Sequence, residues 1–104
     1  MLVDANERGL ELTVDSLRTA FPESRLAGFA ADVSDGIAAQ QAIESTVKQF
    51  GGLDILVNNA AMRNYSAAAN VTPAEWQAMV NVNLVGMSNY CQAALPHLRT
   101  SGQG

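Results

Sequence analysis

The sequence is poor in the residues that form metal clusters, disulfides and nucleic-acid surfaces. Its 104 residues contain a single cysteine, Cys91, and a single histidine, His97. One cysteine can form neither an intrachain disulfide nor a cysteine metal cluster, so we expect no structural metal. Six basic residues stand against ten acidic ones, and the basic residues form no stripe along the chain. A net charge of −4 without such a stripe argues against nucleic acid or an anionic membrane as a partner.

Long apolar runs are also missing. No stretch approaches the ~18 apolar residues that a membrane-spanning helix needs. Hydrophobic residues nevertheless make up 48% of the chain and charged residues 15%, which is typical of a folded globular protein. We therefore expect one small cytoplasmic domain. The chain opens on a strand-like Met1–Asp4 and closes on a loop-like Ser101–Gly104, and both ends look cut.

Apolar residues recur at helical spacing in three stretches. The first pattern predicts a helix from about Glu7 to Ala20, stopped by Pro22. A second helix can be capped by Ser34 or Asp35 and ends at the glycine pair that begins with Gly51.

The third helical pattern is the longest. Thr72 to Glu75 form a capping box with Pro73 at the first helical position, which predicts a sharp helix start. The pattern continues to about Arg99, and we expect Pro96 to bend or fray the last turn.

Apolar segments between these helices predict strands at 1–4, 25–31 and 53–58. The last contains Ile-Leu-Val without polar alternation, as in a strand covered on both faces of a parallel sheet. Strands that alternate with helices predict right-handed crossovers. The fold class is therefore α/β with a doubly wound parallel sheet.

Polar or small residues follow each predicted strand, where ligands bind in such sheets. Asp4 could accept hydrogen bonds from ribose hydroxyls, or it could cap the next helix. Asp32 could accept from an adenine amino group beside Val33, or it could be a turn residue. The run Asn58-Asn59-Ala60-Ala61 offers amides and leaves space for a flat ligand, although asparagine pairs also form ordinary turns.

The run from Phe50 to Ala61, FGGLDILVNNAA, resembles the fingerprint of the short-chain dehydrogenase/reductase family, in which a strand ends in Asn-Asn-Ala-Gly. The Asp32-Val33 pair and Asp4 lie upstream at the family's spacing, and VNVNLVGM resembles its next long helix. The resemblance covers nearly the whole chain. Ala61 departs from it, because the family usually has glycine there.

The resemblance implies an incomplete Rossmann-type domain over residues 1–104, part of an NAD(P)-dependent oxidoreductase that moves a hydride between nicotinamide and a carbonyl or alcohol substrate. It implies that Asp4 binds the adenosine ribose and favours NAD over NADP. Asp32 and Val33 would hold adenine, and Asn59, Ala60 and Ala61 would lie along the nicotinamide side.

The resemblance also implies a catalytic role for Asn83, which lies 24 residues after Asn59 as the family pattern requires. In the family this asparagine kinks its helix, and a main-chain carbonyl there holds a water of the proton relay. The complete enzyme would be a homo-oligomer, a dimer or a tetramer.

Two parts of the family pattern do not occur in the sequence. The glycine-rich turn is expected about 30 residues before Asp4, and no tyrosine is followed four residues later by lysine: Ala69 follows Tyr65 at that offset, and Ala94 follows Tyr90. Without this acid–base pair we expect the chain alone to be inactive. We expect a fragment that lacks the first strand and the C-terminal part of the fold, with unpaired strand edges where that strand would lie.

A different class of function stays open. The chain could be a non-catalytic module that binds a nucleotide or serves in dimerisation. The long helix resembles one that such enzymes pack against a partner subunit, but its apolar residues are equally explained by packing on the chain's own sheet.

Overall fold

The computed structural model describes residues 1–102 as a two-stranded parallel sheet with helices on both faces. Its strands and α-helices are β1 (Leu2–Asp4), α1 (Glu7–Ala20), β2 (Gly28–Ala30), α2 (Gly36–Phe50), α3 (Pro73–Val80) and α4 (Met87–Ser101). A 3₁₀ turn spans Ala68–Asn70, and a π-helical segment, Asn81–Gly86, joins α3 to α4. No helix among these residues is both long enough and apolar enough to cross a membrane.

The sheet pairs β1 with β2 in parallel, so that Val3 lies opposite Phe29. Val3 and Phe29 pack against a core between α2 and α4. Gly28 faces α1 instead, and a methyl group there would come within 3.1 Å of Leu10. Because side chains alternate between the two faces of a strand, helices cover both faces. The α/β, doubly wound prediction is confirmed.

Small side chains let α2 and α4 approach closely. The buried residues of this core are Ala39, Ala42, Ile43, Tyr90, Ala93 and Ala94. Burying such apolar surface stabilises the fold by about 25 cal/mol per Å². The core lies against one face of the sheet, where Val3 and Phe29 contact it, and the α4 part of the long helix forms one side of it.

Local capping fixes the first two helices where the sequence predicts them. The Asn6 side chain accepts a hydrogen bond from the Gly9 N–H at 3.0 Å and caps α1. The alternative role of Asp4 as that cap is wrong, because Asn6 is the cap and the Asp4 Oδ1 accepts from the Asn6 N–H at 2.8 Å, before the helix begins. Of the two candidates for α2, Asp35 is the cap. Gly51, at φ 93°, ends the helix.

The long helical stretch begins as predicted and is less regular than predicted. Thr72 and Glu75 form the capping box in both directions. The π-helical segment interrupts the α-helical hydrogen bonding midway. Pro96 lies inside α4, which continues to Ser101 and ends at Gly102 with φ 65°.

The predicted strand at 53–58 is wrong for this structure. These residues form no strand, and Ile55 and Val57 are each 77% exposed instead of covered on both faces. Leu53 and Leu56 do pack against the core. A strand needs a neighbour for its backbone N–H and C=O groups, and in the described sheet β1 pairs only with β2. Hydrophobic patterning alone therefore did not produce a strand here.

Candidate functional site

A cleft of about 340 Å³ lies between β1, the segment 53–60 and the helical stretch 82–90. Five of the predicted site residues line it: Asp4, Val33, Asn59, Ala60 and Asn83. Asp32 and Ala61 are not among its lining residues. The ends of the strands and the long helix thus meet around one opening, as the predicted fold requires.

Asp4 lies at the end of β1 and is exposed at the edge of this cleft. Its Oδ1 accepts from the Asn6 N–H at 2.8 Å, which orients the carboxylate. Its Oδ2 has no partner among residues 1–102 and can accept a hydrogen bond from a ligand hydroxyl.

A tight turn of residues Asp32–Asp35, here called the Asp32 turn, follows β2. Oδ1 of Asp32 accepts from the Ser34 N–H at 2.9 Å and from the Ser34 hydroxyl at 2.8 Å. The Asp35 N–H donates to the Asp32 carbonyl at 3.0 Å. The hydrogen bonds from the Ser34 backbone and side chain lower the pKa of Asp32 below its usual value. The turn alternative for Asp32 is therefore realised, and Oδ2 stays available to a ligand.

Residues 58–62 are here called the Asn58 loop, and Asn58, Asn59 and Ala60 of this loop form the opposite side of the cleft. Asn58 donates from Nδ2 to the Cys91 Sγ at 3.4 Å. Asn59, Ala60 and Ala61 are exposed. Small, exposed side chains leave this side of the cleft open to a flat ligand.

Asn83 lies in the π-helical segment and holds the Asn58 loop by two hydrogen bonds. Its Oδ1 accepts from the Met62 N–H at 2.7 Å, and its Nδ2 donates to the Met62 carbonyl at 2.9 Å. The side-chain amide pairs with the backbone of Met62 as a neighbouring strand would. The side chain positions the loop, and a catalytic role for Asn83 stays a prediction that concerns its main chain.

Three residues of the long helical stretch contact the Asp32 turn or line the cleft, and none of them was predicted from the sequence as a site residue. Gly86 is buried, and a Cβ there would lie 2.7 Å from Cγ2 of Val33. Asn89 donates from Nδ2 to the carbonyls of Val33 and Ser34, each at 3.2 Å. No local signal distinguishes Asn89, because its partners lie more than 50 residues away in sequence.

The third of these residues is Tyr90, which lines the cleft and is 5% exposed. Its hydroxyl is buried and has no hydrogen-bond partner within the described part of the chain. Burial raises the pKa of Tyr90 above its usual value. The phenol stays neutral at physiological pH.

The described residues offer little other chemistry. No group of three or more His, Cys, Asp or Glu side chains among residues 1–102 could hold a metal ion. Arg63 and Tyr65, which follow the Asn58 loop, are exposed and are not among the residues that line the cleft.

Comparison with known proteins gives one consistent result. A family model described as short chain dehydrogenase matches residues 1–104. D-threitol dehydrogenase of Mycolicibacterium smegmatis is 32% identical over 102 residues, which cover 98% of this chain and 38% of that protein.

Solved structures agree. A glucose/ribitol dehydrogenase of the short-chain dehydrogenase/reductase type from Brucella melitensis superimposes with a TM-score of 0.84 at 33% identity, covering 93% of this chain and 40% of that one. L-sorbose reductase from Gluconobacter frateurii, crystallised with NADPH and L-sorbose, gives a TM-score of 0.86 at 27% identity over 97% of this chain and 38% of that one. The chain spans about two fifths of the length of these relatives.

Proposed function

Because this chain belongs to the short-chain dehydrogenase family, whose named relatives are oxidoreductases, we propose that it is one partial NAD(P)-binding domain, residues 1–104, of an oxidoreductase. The supporting observation is that Asp4, Val33, Asn59, Ala60 and Asn83 line one cleft. When bound, the nicotinamide cofactor supplies the hydride chemistry for a carbonyl or alcohol substrate.

The adenosine half of the cofactor suits the donor and acceptor groups of the cleft. Asp4 keeps an oxygen available at the edge of the cleft, where it can accept from a ribose hydroxyl. The same carboxylate would repel a 2′-phosphate, which favours NAD over NADP. Val33 offers an apolar surface to adenine. Asp32 precedes it just outside the residues that line the cleft, and its Oδ2 can accept from the adenine amino group. Asn59, Ala60 and Ala61 would lie along the nicotinamide-side ribose.

For the chain by itself we propose nucleotide binding without turnover. No tyrosine in the sequence is followed four residues later by lysine, so the chain has no pair that could pass a proton at neutral pH in the way this family does. Asn83 would contribute its main-chain carbonyl to the proton relay only in an enzyme that also carries that pair.

We also propose a cytoplasmic homo-oligomer, a dimer or a tetramer. Apolar side chains on the long helical stretch are exposed, and they are Trp76, Val80, Leu84, Val85, Met87 and Leu95. Tyr90 on the same stretch is instead buried against α2. The long helical stretch thus packs on its own fold and also exposes apolar surface that a partner copy could cover, although Met87 also lines the cleft.

A fluorescence titration with NADH and NADPH tests the binding role. We expect Asp4→Ala to weaken NADH binding ~10-fold, because a hydrogen bond to a charged group is lost, and to leave NADPH binding unchanged or stronger. Asp15→Ala is the matched control, because it removes the same charge from an exposed site on α1 outside the cleft. Equal losses for both cofactors would refute the role of Asp4, and no saturable signal at millimolar cofactor would refute nucleotide binding.

Sequencing the gene on both sides tests the oxidoreductase role. We expect an in-frame glycine-rich turn upstream and an in-frame Tyr-x-x-x-Lys pair downstream. If neither is encoded, the gene product is not an enzyme of this kind, and only the binding role survives.

A further inference from the structure

Asn89 joins the long helix to the Asp32 turn. Its Nδ2 lies 3.2 Å from the carbonyl oxygen of Val33 and 3.2 Å from that of Ser34. Both hydrogen bonds are partly buried, so they are less weakened by competition with water than exposed ones. One side-chain amide thus donates to the carbonyl oxygens of two consecutive peptide groups.

Among the described residues, the other hydrogen bonds of the Asp32 turn join it only to itself and to the start of α2. They join Asp32 to Ser34 and to Asp35, and Asp35 to the first turn of α2. They fix the shape of the turn and leave its position relative to the long helix unspecified. Within the described residues, the packing of α2 on α4 sets that position coarsely, and the turn itself contacts the long helix through Asn89 and through the close approach of Val33 to Gly86.

The same helical stretch holds the other side of the cleft. Asn83, six residues before Asn89, binds both backbone groups of Met62. Two amides on one continuous helical stretch therefore help to set the distance between the Asp32 turn and the Asn58 loop. A ligand that reaches across the cleft needs this distance to be correct before it binds.

We propose that Asn89 is a positioning residue for the adenosine part of the cleft, acting through Val33. The inference rests on the proposed nucleotide-binding function and adds a residue that itself touches no ligand. Loss of the Asn89 donor releases Val33 from the helix, and a nucleotide must then order the turn when it binds.

Titration of the chain with AMP tests this. Asn89→Asp keeps the size of the side chain, removes the donor and sets a carboxylate against two carbonyl oxygens; Asn89→Leu removes the donor without adding charge. We expect AMP to bind ~10-fold more weakly to Asn89→Asp than to the parent chain. Asn89→Leu should also bind AMP more weakly than the parent chain.

Two variants on the same helix serve as controls. Gln92→Glu makes the same amide-to-acid change at an exposed residue whose amide, among residues 1–102, donates only to the Ser88 hydroxyl. Ala93→Gly weakens the helix at a buried position without touching the turn. Both should bind AMP like the parent chain at a temperature where circular dichroism shows every variant folded.

The outcomes separate this inference from the function on which it rests. If the parent chain does not bind AMP, the nucleotide-binding proposal fails and the role of Asn89 fails with it. If the parent binds and both Asn89 variants bind equally well, nucleotide binding stands and the positioning role is overturned. The positioning role is also overturned if Ala93→Gly weakens AMP binding as much as Asn89→Asp does, because the loss of binding then reflects general destabilisation of the fold.

Discussion

The two sides of the cleft are built in different ways. The Asp32 turn closes through hydrogen bonds between residues at most three apart in sequence, and Asp35 continues it directly into α2. The Asn58 loop has no such closure and is held from a distance by Asn83 and Cys91. One side therefore takes its shape from its own sequence, whereas the other takes its shape from the helix that it contacts. The difference implies that mutations on the helix should disturb the two sides unequally.

The largest expected effect comes from Gly86, where the Asp32 turn meets the helix. A Cβ in Gly86→Ala would lie 2.7 Å from Cγ2 of Val33 and 3.2 Å from its backbone carbonyl carbon. Valine is stiff at χ1 and the backbone cannot yield cheaply, so we expect a loss of about 1 to 3 kcal/mol in the free energy of unfolding. Urea denaturation measures it. Amide chemical shifts should move in the Asp32 turn and not in the Asn58 loop.

Gly52→Ala is the control for this experiment, because a Cβ there meets no atom within 4 Å. It should leave stability nearly unchanged. Val33→Ala in the Gly86→Ala background should restore part of the lost stability, because it removes the Val33 methyl groups, one of which would clash with the new Cβ. If Gly86→Ala is as stable as the parent chain, the close approach of Val33 to Gly86 does not require glycine at this position.

This comparison also explains which features could be predicted from sequence. The limits of α1, the end of α2 at Gly51 and the capping box at Thr72 follow from rules that involve a few neighbouring residues, and the structure has them where predicted. Asp4 and Val33 could be named because the ends of parallel strands meet at one edge of a sheet. These predictions needed no knowledge of distant contacts.

The features that were missed depend on partners far away in the chain. The run 53–58 has the composition of a buried strand, but its backbone has no neighbouring strand in the described sheet. The role of Asn89 requires Val33 to lie beside a helix 56 residues later. The family resemblance marked Asn83, but not the hydrogen bonds by which its side chain holds Met62. No local pattern encodes such contacts.

A smaller effect is expected at Asn83, and it should appear on the opposite side of the cleft. Asn83→Leu removes both hydrogen bonds to Met62 while keeping a side chain of similar size. The bonds are exposed, so each contributes only about 1 kcal/mol, and we expect the Met62 amide to exchange hydrogen ~10-fold faster. The Ser34 amide should exchange at the parent rate.

Asn81→Leu in the same π-helical segment is the matched variant, because within the described part of the chain the Asn81 side chain accepts only from Gln77 Nε2. It should leave Met62 exchange unchanged. If Asn83→Leu accelerates hydrogen exchange at the Ser34 amide as much as at the Met62 amide, the two sides of the cleft are not held independently. The proposed difference between the two sides is then wrong.

The smallest effect should come from Asp32, and it measures how far the Asp32 turn depends on its own hydrogen bonds. Ser34 lowers the pKa of Asp32 in the folded chain, so the ionised carboxylate favours folding. This stability is fully present above the pKa of an unfolded aspartate and is lost as pH falls through the lowered folded value. Asp32→Asn should therefore lose less stability than the parent chain in that acidic range. The difference should stay below about 1 kcal/mol, since Asp32 is exposed and solvent screens its charge.

Ser34→Ala, which removes one of the two donors to Asp32, should lose an amount of stability between that of Asp32→Asn and that of the parent chain. Urea midpoints that change with pH identically in all three chains would show that this carboxylate does not stabilise the turn.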